Sequence, residues 1–260
     1  MIRFYSSFMN NMYYPYQICA YYNAKQIRKN CTILIVDSGF GKRPVGVAEL
    51  ANIQRKFADI SVAPDIFKNV EETVKRTKQW NEITKDFKNR IAVIQGIRLP
   101  DYMDCYEQLE TIHDFEYYGI GGLIGRKEDE TARIIKSMLP TLKREHKDVH
   151  IFGIGCSNSN MLKLLIKEGA DSFDSSSTVR NAIDGKIITM KDDSLDKIDI
   201  GKLPAYLIDD VVNMNNQIME YKIKHYHDII FNPKEQKTIV HFSGQENEFK
   251  GETIEEVEKE

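Results

Sequence analysis

Short apolar runs rich in β-branched residues alternate along this chain with longer charged stretches that have the periodicity of an amphipathic helix. The runs predict strands at residues 32–37, 60–63, 91–95, 117–120, 149–153 and 171–174. The stretches between them predict helices at residues 70–87, 102–113, 128–145 and 160–168. Gly169 directly after the last of these stops that helix. Such strand, helix, strand repetition predicts right-handed crossovers and a parallel sheet.

A closed barrel is the form of parallel sheet that we expect. The 260 residues are enough for one core, so we expect a TIM-type (β/α)8 barrel of the α/β class, forming a single domain over 1–260. A doubly wound open sheet is the alternative, but the GxGxxG fingerprint of dinucleotide-binding sheets is missing after the first predicted strand. A long helical pattern at 203–230 predicts a helical C-terminal extension. A strand-like run at 238–242 and an acidic tail at about 249–260 follow it.

Composition excludes several classes of protein. The chain is 42% hydrophobic and 29% charged, and no stretch approaches the roughly 20 apolar residues of a membrane span. The N-terminal residues lack the pattern of a secretory signal, so we expect a cytoplasmic protein without a membrane partner. A net charge of -3 excludes coating of nucleic acid through bulk charge, so any nucleic-acid contact must be local.

The metal-binding residue types are scattered. No CxxC or CxC pair occurs among the four cysteines Cys19, Cys31, Cys105 and Cys156. We therefore expect reduced, mostly buried thiols. His225 and His227 lie close together, but no cysteine or acidic cluster beside them completes a tetrahedral site. The sequence thus predicts no metal site.

Acids, an amide and bare backbone follow most of the predicted strands. These residues are Asp37, Asp65, Gln95, Gly121, Gly122 and Asp174. A single aspartate at a strand end is most simply a helix cap or turn former. Recurrence at several ends changes this interpretation, because barrel enzymes carry their active sites at the carboxyl ends of the strands. Asp37 and Asp174 are two acids that can share nucleophilic and proton-transfer work in one pocket.

These positions resemble, in order and spacing, the tRNA-guanine transglycosylases and their DNA-modifying relatives, which install 7-deazaguanine bases. The resemblance runs from about residue 37 to residue 185. Its motifs are Asp37-Ser38-Gly39-Phe40, Ala63-Pro64-Asp65, Gln95-Gly96, Gly119-Ile120-Gly121-Gly122-Leu123, Phe152-Gly153-Ile154-Gly155 and Phe173-Asp174. No single motif is specific, but the ordered set is hard to explain otherwise.

The resemblance implies a pentosyltransferase that works without a cofactor. Asp174 matches the family nucleophile, which attacks C1′ of the target nucleotide, expels guanine and holds the sugar as an ester. Asp37 matches the proton-transfer residue, because the incoming base must lose a proton and a carboxylate in a partly dry pocket can have a raised pKa. The exchange is expected to be ping-pong.

The resemblance also implies a base-binding shell. Its members are Ser38, Phe40, Asp65, Gln95, Gly121, Gly122, Phe152 and Gly153. A carboxylate, an amide and peptide groups can pair with a guanine-like edge, and Phe40 would stack on the base. Phe152 would form the opposite wall, although apolar core packing explains it equally well. The target nucleotide must leave its stack to enter, so a flipped base or a single strand is implied.

This sequence departs from the family pattern at three places. One glycine rather than two follows Asp37-Ser38, the cluster of three cysteines and a histidine that binds zinc is missing, and residues 178–183 replace a Pro-Thr-Arg segment, leaving only Arg180. We therefore expect no zinc and favour DNA over tRNA as the substrate.

The predicted backbone contacts to nucleic acid are the cationic residues nearest the active face. They are Lys42, Arg43, Arg126, Lys127 and Arg180. Plain surface solvation remains open for the first four of these.

Two other functions remain open. A barrel of this family can act as a non-catalytic subunit that binds nucleic acid beside an active partner, although a scaffold has no need of both Asp37 and Asp174. A nucleoside hydrolase would use the same acids to release a base without inserting another. A dimer or a partner subunit is compatible with the sequence.

Overall fold

Eight parallel strands close into a barrel in the computed structural model, which describes residues 1–7, 12–39, 45–154, 159–191 and 194–232. The strands are β1 (Arg3–Ser7), β2 (Tyr16–Ala20), β3 (Ile33–Asp37), β4 (Ile60–Val62), β5 (Arg90–Ile94), β6 (Tyr117–Ile120), β7 (Asp148–Ile151) and β8 (Ser172–Ser175). They pair in sequence order, and β8 pairs with β1 to close the ring. The predicted (β/α)8 barrel is confirmed.

Helices follow most of the strands. They are α1 (Ala24–Ile27), α2 (Val47–Phe57), α3 (Val70–Ile83), α4 (Leu99–Ile112), α5 (Glu128–Arg144), α6 (Ser159–Glu168), α7 (Ser177–Ile183) and α8 (Ala205–Phe231). The four predicted inter-strand helices correspond to α3 to α6. The largest error is at the end of α3, which stops short of residue 87 because the Thr84 hydroxyl bonds back to the Trp80 carbonyl and Phe87 N–H closes a turn on Thr84.

Strands β1 and β2 were not predicted, nor were helices α1, α2 and α7 or the antiparallel hairpin of β9 (Lys186–Lys191) and β10 (Ser194–Asp199). A buried amide explains the omission of β2. Gln17 is only 1% exposed, and its amide donates to the carbonyl oxygens of Met12 and Asn30. A polar residue at a buried strand position is invisible to a pattern of apolar residues.

Alternation along each strand decides which side chains face the barrel interior. In β3, Ile35 packs with the interior cluster, whereas Leu34 and Val36 pack outward with α1. Asp37 shares the face of Ile35, because side chains two residues apart on a strand point the same way. In β8, Phe173 packs outward, which leaves Asp174 on the interior face.

The helical extension predicted for 203–230 is confirmed as α8, which packs against α6, α7 and β9. Buried Asn215 joins α8 to β9 and α7, because its side-chain oxygen accepts from Ile188 N–H (2.7 Å) and its side-chain nitrogen donates to the Thr178 carbonyl (2.9 Å). Across the described ranges, no helix has both the length and the apolar character needed to cross a bilayer. The strand predicted at 238–242 and the acidic tail lie outside the described residues.

Candidate active site

A cavity of about 690 Å³ opens at the carboxyl ends of the strands. The predicted catalytic and base-binding residues within the described ranges all line it: Asp37, Ser38, Asp65, Gln95, Gly121, Gly122, Phe152, Gly153 and Asp174. Each comes from the end of a strand or from the loop that follows it, as the barrel interpretation predicts. Phe40 lies outside the described residues.

The carboxylate of Asp174 is held from both sides. Its Oδ2 accepts a hydrogen bond from the Ser7 hydroxyl at 3.0 Å. Its Oδ1 accepts from the Gly153 N–H at 3.0 Å and lies 3.4 Å from Nε2 of His150. Strands β1, β7 and β8 thus fix the orientation of this side chain. A preoriented carboxylate at the mouth of a cavity is suited to nucleophilic attack.

Asp37 has a different environment. Among the described residues, its Oδ1 accepts one hydrogen bond, from the Gly39 N–H at 2.8 Å. Burial raises the pKa of Asp37 to about 7, and the nearby carboxylates of Asp65 and Asp174 act in the same direction. A carboxyl group with that pKa can give and take a proton near neutral pH.

Asp65 and Gln95 form one hydrogen-bonded unit on the cavity wall. The Gln95 amide donates to Asp65 Oδ2 at 2.6 Å, and the Ser38 hydroxyl donates to Oδ1 at 3.2 Å. The Lys68 N–H donates to the Gln95 carbonyl oxygen at 3.0 Å, which fixes the amide orientation. Burial raises the pKa of Asp65. The unit presents a carboxylate beside an amide in a single arrangement, which suits recognition of a flat polar ligand.

Gly121 and Gly122 allow the backbone to approach Gln95. A Cβ on Gly121 would lie 2.5 Å from the Gln95 amide nitrogen, and one on Gly122 would lie 2.6 Å from its oxygen. Gly122 also has a φ of +67°, which favours glycine. The Gly121 N–H already bonds to the Ile94 carbonyl and its own carbonyl accepts from the Tyr102 hydroxyl. Any ligand contact to that carbonyl must use its second lone pair.

Phe152 is both a wall of the cavity and part of the interior packing. Its ring lies against His150, with ring centroids 4.4 Å apart, and it lines the cavity beside Gly153. The ring fits because position 119 is glycine, where a Cβ would lie 2.1 Å from the Phe152 ring. The two interpretations of this residue in the sequence are therefore compatible.

The nucleic-acid contact predicted for Arg126 does not fit its geometry. Its side chain is 3% exposed, it forms an ion pair with Glu130, and it donates to the carbonyls of Gly96 (2.8 Å) and Gly122 (2.9 Å). The guanidinium therefore stabilises the loop after β6, because its hydrogen bonds to these two carbonyl groups are buried within the fold. Lys127 and Arg180 are exposed. Lys42 and Arg43 lie outside the described residues.

Two residues beside Asp174 were not predicted from the sequence. His150 is fully buried, and its Nδ1 lies 2.7 Å from the Ser172 hydroxyl. Its spacing was an available signal, because it precedes Phe152 by two residues and so shares the interior face of β7. Ser7 ends β1, a strand that the pattern did not reveal.

Arg76 also lines the cavity and was missed. It is 9% exposed, and its guanidinium donates to the Val45 carbonyl. The sequence places it inside an amphipathic helix, where an arginine normally faces solvent.

No group of three or more His, Cys, Asp or Glu side chains within the described ranges is arranged to hold a metal ion. The expected absence of zinc stays a prediction. Cys19, Cys31 and Cys105 are buried free thiols, as expected, and Cys156 lies outside the described residues.

Comparison with known proteins gives a consistent set of relatives. Queuine tRNA-ribosyltransferase of Helicobacter pylori strain P12 is 29% identical over 174 residues, 64% of this chain and 45% of that protein. Its counterpart from strain G27 is 30% identical over 148 residues, 54% of this chain and 39% of that protein. The tRNA-guanine(15) transglycosylase of Nanoarchaeum equitans strain Kin4-M is 33% identical over 129 residues, 47% of this chain and 30% of that protein.

The chain thus spans less than half the length of each of these relatives. The sequence model of the family described as Queuine tRNA-ribosyltransferase matches residues 16–225, from the first residue of β2 into α8. That match contains every described residue that lines the cavity. The chain belongs to the queuine tRNA-ribosyltransferase family.

Proposed function

We propose that this protein is a guanine transglycosylase that replaces a guanine in a nucleic acid with a 7-deazaguanine base. The observation that carries the proposal is the meeting of a preoriented carboxylate, a carboxyl group with a pKa of about 7 and a fixed carboxylate–amide unit in one cavity. The three parts are Asp174, Asp37 and the pair Asp65 and Gln95. Nucleophile, proton carrier and base-reading edge are what a base exchange requires.

The first half-reaction forms the ester. A carboxylate oxygen of Asp174 attacks C1′ of the target nucleotide, and the bond from C1′ to guanine breaks with its electron pair passing to the base. Asp37 gives its proton to the departing guanine. In the second half-reaction the incoming base loses a proton to Asp37 and attacks C1′, and the ester bond breaks to restore the Asp174 carboxylate. Both acids return to their starting states, so the exchange is ping-pong and consumes no co-reactant.

Recognition of the base falls to the opposite wall. The carboxylate of Asp65 and the amide of Gln95 offer an acceptor and a donor side by side, the pattern that pairs with a guanine edge. Phe152 gives one apolar face for the ring. A cavity of about 690 Å³ accommodates a base only after it has left its stack, so the target is a flipped or single-stranded nucleotide.

We propose tRNA as the nucleic acid. The names of the relatives refer to tRNA, and the expectation of DNA rested on departures from the family pattern rather than on a positive signature of DNA binding. Arg180 and Lys127 are exposed cations available for phosphate contacts. DNA is the alternative substrate.

A direct test offers the native chain a guanine-labelled tRNA transcript and a guanine-labelled DNA side by side, each with a 7-deazaguanine base. We expect release of label and incorporation of the new base with tRNA, and a protein–RNA adduct on a denaturing gel. The matched controls are Asp174→Ala, which should form no adduct, and Asp184→Asn, which changes an exposed acid outside the cavity.

Each other outcome contradicts part of the proposal. Exchange with DNA alone reverses the choice of substrate. Release of guanine without incorporation indicates a hydrolase. Binding without exchange or adduct indicates a non-catalytic subunit and contradicts the proposed transglycosylase activity.

A further inference from the structure

A chain of hydrogen bonds runs through the barrel interior and ends on Asp174. The Tyr117 hydroxyl lies 2.5 Å from the Ser172 hydroxyl, which lies 2.7 Å from Nδ1 of His150. Nε2 of the same ring lies 3.4 Å from Oδ1 of Asp174. These residues come from β6, β7 and β8, whose alternation places all four side chains on one face.

We assign a neutral imidazole to His150, which gives the chain of hydrogen bonds one direction. The Asp174 carboxylate accepts, so Nε2 of His150 carries the proton. Nδ1 then accepts from the Ser172 hydroxyl, and Ser172 accepts in turn from Tyr117. His150 is fully buried, with its ring packed against Phe152 and Tyr5. The ring is therefore held in one orientation with its Nε2–H directed at the carboxylate.

The two oxygens of Asp174 consequently differ. Oδ1 faces two N–H donors, from Gly153 and His150, which occupy both of its lone pairs. Oδ2 meets only the Ser7 hydroxyl among the described residues and retains a lone pair. A lone pair that already accepts a hydrogen bond is not available for attack on carbon. The hydrogen bonds thus distinguish a reacting oxygen from a non-reacting one.

We propose that His150 is a positioning residue which, together with the Gly153 N–H, makes Oδ2 of Asp174 the attacking oxygen and stabilises the carboxylate when it leaves. This inference rests on the transglycosylase function proposed above. In the first half-reaction Oδ2 gives its electron pair to C1′, the bond from C1′ to the base breaks, and Asp37 protonates the base. Oδ1 becomes the carbonyl oxygen of the ester and keeps both donors.

The donors matter most in the second half-reaction. The incoming base attacks C1′, the bond from C1′ to Oδ2 breaks, and its electron pair returns to a carboxylate that shares the charge with Oδ1. Two N–H groups already directed at Oδ1 stabilise that charge as it develops, in the manner of an oxyanion hole. The same donors make the free carboxylate a weaker nucleophile, so they assist the first half-reaction little.

The test measures the two half-reactions separately in native protein, His150→Phe and His150→Gln. The adduct is formed from labelled guanine-containing tRNA without an incoming base, isolated, and then mixed with a 7-deazaguanine base. In His150→Phe we expect release from the adduct to slow about 10–100-fold, and adduct formation to change less than about 5-fold. KM for the nucleic acid should stay within about 2-fold. His150→Gln retains an amide donor and should recover part of the release rate.

Two results overturn the inference: equal slowing of both half-reactions, or release from His150→Phe at the native rate. Failure of the native chain to form any adduct instead refutes the proposed function. Far-UV circular dichroism checks the fold of each variant. If His150→Phe is unfolded, ¹⁵N spectra of the native protein decide, because an Nδ1–H tautomer or a doubly protonated ring contradicts the assigned direction. Loss of the Nε2–H preference in Ser172→Ala would support it.

Discussion

The two sides of the cavity place an aspartate in opposite environments. On the side of β8, three donors surround the Asp174 carboxylate and fix its orientation. On the side of β3, Asp37 meets the single N–H of Gly39 among the described residues and lies near two other acids, with a pKa raised to about 7. In the proposed reaction, surroundings rather than residue identity therefore separate the nucleophile from the proton carrier.

The largest effect should come from removing the fixed acid. We expect Asp174→Ala to abolish the adduct and to lower base exchange by about 10⁴-fold or more, because no other group takes the place of a covalent nucleophile. Denaturing gels and an exchange assay with labelled guanine measure both quantities. An adduct that persists in this variant would show that another residue is the nucleophile and would contradict the proposed difference in role between Asp174 and Asp37.

The second effect tests the proton carrier. Asp37→Asn cannot donate a proton to guanine, so we expect exchange to fall by about 10²–10⁴-fold with little change in affinity for nucleic acid. In the native protein, adduct formation needs the protonated form, so its rate should fall as pH rises through about 7. The rate for Asp37→Asn should show no such fall. A comparable loss of affinity, or a native pH profile in the variant, would count against this role.

A third effect separates base reading from sugar chemistry. In Asp65→Asn, one acceptor oxygen becomes an NH₂ group facing the Gln95 amide or the Ser38 hydroxyl. We expect KM for the incoming base to rise about 10–100-fold, because an N–H donor of the bound base loses its carboxylate acceptor inside the cavity. The rate of release at saturating base should change far less. Ser38→Ala, which removes the longer 3.2 Å contact, serves as the milder control.

A fourth effect appears in stability. The pKa of Asp37 in the fold is about 7, above its ordinary value of 3.8. Between these values the folded protein binds the proton more tightly than the unfolded chain, so the free energy of unfolding falls as pH rises. Asp37→Asn avoids this cost and should be more stable than the native protein above pH 7, with the gap closing toward pH 4. For a part-exposed carboxyl we expect about 1–2 kcal/mol. Denaturant titration at pH 4.5 and pH 8 measures it, and a gap that widens at low pH has the wrong sign.

The smallest effect concerns the cations outside the cavity. Arg180→Ala and Lys127→Ala should each weaken nucleic-acid binding a few-fold and reduce the salt slope by about one. Arg126→Ala should instead lower thermal stability, since its guanidinium is buried against two carbonyls. Salt-dependent binding together with thermal melts distinguishes the two kinds of arginine. An unchanged salt slope in both surface variants would contradict the proposal that Arg180 and Lys127 contact phosphates.

The barrel was predictable because six of its eight strands, β3 to β8, carry apolar runs, most of which are followed by an acid, an amide or glycine backbone. Residues such as Asp37, Gln95 and Asp174 lie where the pattern predicts, since strand polarity alone brings the carboxyl ends of parallel strands together. Arg126 shows the limit of that logic. A charge near the active face looks exposed in sequence, yet its partners are backbone carbonyls that only the folded loops bring within reach.

The environment of each acid was less predictable than its position. Ser7 reaches Asp174 from β1, which the apolar pattern did not reveal, and His150 reaches it from the neighbouring strand β7. The burial of a polar side chain such as Gln17 has no signature in single-sequence periodicity, because what makes it tolerable is a hydrogen-bond partner supplied by the fold.

The pairing of β1 with β8 has a consequence for folding. Ser7 and Asp174 are 167 positions apart in the chain, and only ring closure brings them together. Contacts of such long sequence separation are costly in loop entropy and tend to form late. During refolding, catalytic competence should therefore lag behind the recovery of helical signal, because the proposed nucleophile Asp174 acquires its orientation in the step that joins the first strand to the last.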